Sequence, residues 1–160
     1  MIKIRGINKN RFSSDIDVLW KLKFNTIREV NSQDYTQSQV MAWAPDHYDR
    51  EGWFKRVIGM DPFIAELENL VVGFADLQAD GYIDHFYCHL DFQGKGVGKA
   101  LMQALMDKGE LIGIERYYSH VSITAKPFFE HFGFTSVKQQ SVEVRGEGLT
   151  NFVMEKRVAK

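Results

Sequence analysis

The sequence predicts a mixed α/β domain with a largely antiparallel sheet and helices on both faces. Three patterns carry this. Residues 13–30 and 97–108 repeat apolar side chains at helical spacing. The centre, 62–90, reads as closely spaced strands separated by short turns. A glycine cluster then joins the last of these strands to a helix. At 160 residues and 44% hydrophobic, the chain suits one domain, 1–160, with a core that needs no metal or disulfide staple.

Ile2–Ile7 alternates apolar and basic residues and reads as a short strand. Ser13-Ser14-Asp15 can cap a helix whose apolar face is Ile16, Leu19, Trp20, Leu22, Phe24, Ile27 and Val30. A second helical region, Tyr35–Ile58, breaks at Ala44-Pro45, because proline disfavours helix in the residue before it. Pro62–Leu67, Leu70–Leu77 and Tyr82–Leu90 read as a three-strand meander turned at Glu68-Asn69 and at Ala79-Asp80-Gly81. Val97, Leu101, Ala104, Leu105 and Lys108 mark a helix with one buried stripe. Arg116–Val121 is a strand, and Thr124–Phe132 is a short helix ended by Gly133. Val137–Val144 and Thr150–Glu155 close the chain as a hairpin about Arg145-Gly146-Glu147-Gly148.

Composition excludes several function classes. Twenty basic against twenty-one acidic residues give no surplus for general binding to a nucleic-acid backbone. One cysteine, Cys88, excludes an internal disulfide and a multi-cysteine zinc site. His85 and His89 share a strand parity but lack a third ligand, so no metal is expected. No apolar run approaches the ~20 residues that span a bilayer, and the first residues lack the apolar core of a signal peptide. A cytoplasmic protein without membrane or nucleic-acid partners is expected.

The sharpest local feature is Gln93-Gly94-Lys95-Gly96-Val97-Gly98-Lys99, between a strand and a helix. Glycines there bring backbone N–H groups close to an anion, and the helix N-terminus and two lysines add positive potential. Phosphate or pyrophosphate is the implied ligand. A Walker A loop requires Gly-Lys-Ser/Thr, whereas Ala100 follows Gly98-Lys99. The dinucleotide pattern G-x-G-x-x-G fails at Lys99 and again at Leu101.

Gln93–Gly98 resembles the Q/R-x-x-G-x-G/A signature of the GNAT N-acetyltransferase superfamily. Ala125–Phe134 resembles that family's second segment, A-x-x-F-Y-x-x-x-G-F, and the order of elements is similar too. The resemblance implies a GNAT-like fold, with its sheet splayed at the coenzyme site. It implies acetyl-CoA as cosubstrate, its pyrophosphate held by Gln93, Gly94, Lys95, Gly96, Val97, Gly98 and Lys99. The backbone near Tyr87 and Cys88 would hold the pantetheine arm and the acetyl carbonyl. Ser122 stands where relatives carry an asparagine on that arm, and it also suits a helix cap. Phe128 packs on the coenzyme or in the core. Direct attack by a neutral amine is the implied reaction, with Asp84, through water, as base and Tyr82 on the same strand face. Asp84 also reads as an ordinary solvated carboxylate. Phe129 replaces the family's tyrosine acid, which leaves the acid unassigned. Cys88 reads as a small buried thiol, since nothing nearby forms a Cys-His pair.

Tyr35 and Trp43 are the candidate acceptor-pocket residues, while Trp53 more simply seals the first helices onto the sheet. Carboxylates such as Asp34, Glu66 or Asp84 can attract a cationic amine. The acceptor is thus a small-molecule or peptide amine. The alternative is a coenzyme-binding sensor without turnover. An exposed edge among the late strands makes a homodimer possible.

Overall fold

The structure, a computed structural model, describes residues 1–158 apart from the side chain of Lys9. In chain order it comprises β1 (Ile2–Arg5), α1 (Phe12–Glu29), α2 (Gln37–Trp43), α3 (Arg50–Met60), β2 (Phe63–Leu67), β3 (Leu70–Ala75), β4 (Tyr82–Ile83), β5 (Phe86–Cys88), α4 (Val97–Ile112), β6 (Arg116–Ser122), α5 (Lys126–His131), β7 (Thr135–Val144) and β8 (Glu147–Arg157). The strands form two four-stranded sheets, β1-β2-β3-β5 and β4-β6-β8-β7. Among the described residues only β4 and β6 pair in parallel, and the other ladders are antiparallel.

Helices cover both faces of the first sheet, as expected. On one face α4 buries Val97, Leu101, Met102 and Leu105 against Ala65 and Val72. On the other, Ile16 and Leu19 of α1 and Trp53 and Val57 of α3 pack on Ile64 and Phe74. Each such side chain contributes about 1.5–3 kcal/mol of burial. Gly73 lets α4 lie directly on β3, since a Cβ there would stand 2.9 Å from Val97 Cγ1. Trp53 seals its helix as expected, its indole donating to Ile16 O at 2.9 Å. No helix among the described residues is long and apolar enough to cross a membrane.

Three expectations need correction. The first is the cap of α1. A 3-10 turn, Lys9–Arg11, precedes this helix and is capped by Asn8, while the helix's own N-cap, Arg11, makes no side-chain bond. Asp15 is spent elsewhere. It is buried and takes a two-pronged pair from Arg5 at 2.9 Å per contact, plus the Asn8 amide at 3.2 Å. Fork-to-fork pairing makes a buried carboxylate tolerable. The Arg5 Nε also donates to Glu66 at 2.7 Å and so ties α1 to both β1 and β2. Side-chain caps occur on the next two helices, where Thr36 and Gln39 form a capping box and Asp49 accepts from Gly52.

The second correction concerns Tyr82–Leu90, which is not one strand. Its first part, β4, pairs with β6, and its second, β5, pairs with β3. The switch falls at Asp84-His85 because Asp76 captures both backbone amides. Asp76 Oδ1 accepts from Asp84 N at 3.0 Å and His85 N at 2.6 Å, and Oδ2 accepts from Gln78 at 2.6 Å. A fully buried carboxylate thus replaces a neighbouring strand as acceptor. The meander becomes two diverging sheets, and the gap between them is the splay.

The third is the final hairpin. The turn is only Arg145-Gly146, both at positive φ (47° and 83°), so Glu147 and Gly148 already belong to β8. That two-residue geometry matches the twist of long paired strands. The Glu68-Asn69 turn, with φ of 51° and 67°, follows the expected form.

Candidate active site

The splay opens a cleft of about 180 Å³ between β5 and β6. Its β5 wall is an unpaired strand edge. The bonds Asp76 N to His85 O and His89 N to Val72 O fix which β5 residues face β3. By antiparallel alternation, Tyr87 bonds within the ladder, while Phe86 and Cys88 turn their backbone groups into the cleft. The Cys88 carbonyl is already engaged, accepting from Gln93 Nε2 at 2.8 Å and Thr26 Oγ1 at 3.2 Å. The Cys88 thiol is pushed up to about 12 by burial, which makes it a poor nucleophile.

At one end lies the glycine loop. Gly94 and Gly96 adopt φ of 76° and 85°; a Cβ would project into open space at Gly94 and would meet only Ile2 Cδ1, at 3.9 Å, at Gly96. Gly96 is the N-cap of α4, and the first helical return bond runs from Ala100 N to Gly96 O at 3.0 Å. The Val97, Gly98 and Lys99 amides therefore point out of the helix without an intrahelical acceptor. Gly98 serves packing as well, because a Cβ there would meet Phe128 at 2.6 Å. Val97 offers only its amide, since its side chain is buried in the core. Lys95 is exposed, its ammonium 5.8 Å from the Phe92 ring centre, and Lys99 is exposed in the first helical turn.

The far wall comes from β6 and the segment leading into α5. Ser122 Oγ accepts from Ala125 N at 3.0 Å and from Asn31 Nδ2 at 3.3 Å, so it holds the turn that leads into α5 and also lines the cleft; the N-cap of α5 is Ala125, without a side-chain bond. Phe128 is half-buried, packs on Phe86 and Phe132 and faces the same space. Thr124 Oγ1 is buried in this wall with no hydrogen-bond partner. The open glycine cradle, outward amides, free strand edge and orphaned hydroxyl together fit a long ligand with phosphates at one end and amides along its arm.

A second cleft, of about 200 Å³, meets the first at Trp43, Asp84, Tyr87, His120 and Ser122. Tyr82 and Tyr35 line only this second one. Tyr35 is chiefly a tie: its hydroxyl donates to Thr150 O at 2.6 Å and accepts from Ile123 N at 2.9 Å. Burial, then the Asp84 charge, pushes the Tyr82 hydroxyl up to about 12. Asp84 pairs with Arg56 at 3.2 Å. Burial works to raise its carboxyl, but the Arg56 guanidinium, by charge and by hydrogen bond, and the Lys23 ammonium prevail and hold it below the ordinary range. His85 is itself buried and neutral, pushed down to about 3 by burial and then by Lys23.

The structure thus joins Asp84, Tyr87, Cys88, Gln93, Ser122 and Phe128 around one cleft and sets Tyr35 and Tyr82 around its extension. Asp34 and Glu66 line neither cleft, and Glu66 is bound to Arg5. Sequence reasoning missed Thr124, Lys23, Arg56, Arg145 and His120. His120 faces both clefts from β6, two residues before Ser122 and therefore on the same strand face. That parity could have found it. Asp76, Asp84 and His85 bring potential ligand atoms within 4.8 Å of one another. Both Asp76 oxygens are engaged by amides and Asp84 by Arg56, while His85 Nδ1 is buried without a hydrogen-bond partner.

A family model for the acetyltransferase (GNAT) domain matches residues 31–158. The chain is 32% identical to the uncharacterized N-acetyltransferase YafP of Escherichia coli strain K12, over 91% of this chain and 92% of that one. It superposes on a GCN5-related N-acetyltransferase of Rhodopseudomonas palustris with a TM-score of 0.90 and 29% identity, over 98% of this chain and 95% of that one. The PaiA N-acetyltransferase of Thermoplasma acidophilum, solved with coenzyme A, has the same fold, with a TM-score of 0.76 at 16% identity over 99% of both chains.

Proposed function

The chain belongs to the GNAT acetyltransferase family, and from that premise we propose that it transfers acetyl from acetyl-CoA to a primary amine by direct attack. The observation that carries this is the meeting of two clefts at Asp84 and Tyr87. One has the glycine loop at its end; the other is open to an acceptor.

Acetyl-CoA, when bound, supplies the acetyl group as a thioester. The loop amides from Gly94 to Lys99 hold its pyrophosphate, with Gln93 bracing the loop on the Cys88 carbonyl. The free edge of β5, with Ser122, Thr124 and Phe128 opposite, holds the arm. Donors on that edge at the acetyl carbonyl stabilise charge developing on its oxygen. An ammonium cannot attack, so the acceptor first gives a proton to Asp84 through water. The neutral amine then displaces the thiol, its C–N bond forming as the C–S bond breaks. The high pKa of Cys88 supports direct transfer without an acyl-enzyme. Phe129 is buried and has no acidic proton, so the proton shed by the attacking nitrogen reaches the leaving thiolate through water.

In this reading the whole chain is one cytoplasmic coenzyme-binding domain, and its partner is a small amine or a peptide. A second copy of the chain covers the outer edge of β7, the last strand of its sheet. The test is calorimetric titration with acetyl-CoA, with CoA, ATP and NAD as controls, followed by amine-dependent release of CoA thiol. Selective binding with amine-dependent release is expected. Binding without release for any amine points to a coenzyme sensor, and no binding refutes both.

A further inference from the structure

The acceptor side carries positive charge that the protein does not neutralise. Lys23 of α1, Arg56 of α3 and Arg145 of the β7–β8 turn line one cleft. Arg56 is taken by Asp84. Asp49, on the same wall, is committed to the cap of α3, accepting from Gly52 N at 3.1 Å. Lys23 and Arg145 have no carboxylate partner among the described residues. The Lys23 ammonium rests 5.1 Å from the Trp53 ring centre and 6.0 Å from that of Tyr87. Arg145 donates from Nη1 to Ala42 O at 2.7 Å, which leaves the rest of its fork free.

Burial, then the charge on Arg56, lowers the Lys23 ammonium to about 8; Asp84 opposes the shift and Arg145 adds to it. A half-buried cation facing other cations is unfavourable for the fold alone. An anion reverses that sign. Lys23 and Arg56 line this cleft and also the one that reaches Asp84. One small molecule can therefore reach both Asp84 and Lys23.

We propose that the acceptor is an amine that also bears an anionic group, carboxylate or phosphonate, held by Lys23 and Arg145. The proposal rests on the acetyltransferase reading and narrows its acceptor class. Asp84 faces the amine end of such a molecule, and the unpaired cations face its other end.

The test titrates L-amino acids, their carboxamides and their decarboxylated amines into the protein saturated with CoA. A parallel arm compares 2-aminoethylphosphonate with ethylamine and so separates the two anion sources. At least one acid or the phosphonate should bind on the order of tenfold tighter than its uncharged counterpart. Lys23→Met should erase that preference, Lys23→Arg should restore it, and Arg145→Met should reduce it, all with unchanged acetyl-CoA affinity and an intact thermal transition. The proposal is overturned if amides and plain amines bind as well as the acids, if no acid binds, or if the preference survives both Met substitutions. Failure of the acetyl-CoA titration sinks the acetyltransferase reading instead, and the acid-against-amide comparison on the free protein still decides the anion site.

Discussion

The glycine loop and the cleft proposed to take the acceptor are built in opposite ways. The loop is seven consecutive residues, 93–99, and its useful groups are main-chain amides at a helix start. The cleft gathers side chains from α1, α2, α3, the strand break and the last hairpin, residues more than a hundred positions apart. A site made of backbone depends on conformation and is indifferent to most side chains. A site made of side chains is changed one residue at a time. The loop therefore suits the cosubstrate that a family shares, and the cleft suits the acceptor that distinguishes its members.

Charge inserted into the loop should break the comparison most sharply. Gly96→Asp places a carboxylate at a position with φ of 85°, in the loop proposed to hold the phosphates. Acetyl-CoA binding should weaken by on the order of a thousandfold or more in calorimetry. Gly96→Ala serves as the control for backbone strain alone and should lose much less. Equal losses for the two would mean that geometry and not charge governs the loop.

Asp84→Asn probes the junction of the two regions. The turnover number should fall about a hundredfold, within the usual range for a lost general base, with the acetyl-CoA KM unchanged. Turnover retained across pH would move the proton to His120, the other basic side chain at the junction.

The smallest effect concerns the fold itself. Removing an uncompensated cation with Lys23→Met should stabilise the protein by about 1 kcal/mol in thermal unfolding at neutral pH. The sign reverses with alkali. In the folded protein Lys23 releases its proton near 8, whereas an ordinary lysine holds it to 10.5. Between those values the unfolded chain binds more protons, so wild-type stability gains a rising component there. Lys23→Met should lack it, and a matching pH slope in both proteins would place the Lys23 ammonium in ordinary solvent.

The same contrast explains what the sequence revealed. The loop was legible because its signal is contiguous, and most elements were legible because their periodicity is local. Asp84 and Ser122 were reached through strand spacing from recognisable motifs. Lys23, Arg56 and Arg145 looked like ordinary helix and turn charges, and only tertiary packing brings them together. Asp15 followed the local rule for a helix cap, yet a partner ten residues upstream, Arg5, drew it inward. The break in Tyr82–Leu90 was hidden because its cause, Asp76, lies eight residues before the first amide it captures.

Asp76 has one more consequence. A sheet held closed by regular pairing would have to be unzipped by each incoming ligand, and that work would be subtracted from affinity. Here an internal carboxylate stands where the zipper would otherwise continue, so the groove is open in the resting fold. Its opening is settled once, during folding, so a ligand of the proposed kind would meet a receptor already shaped for it.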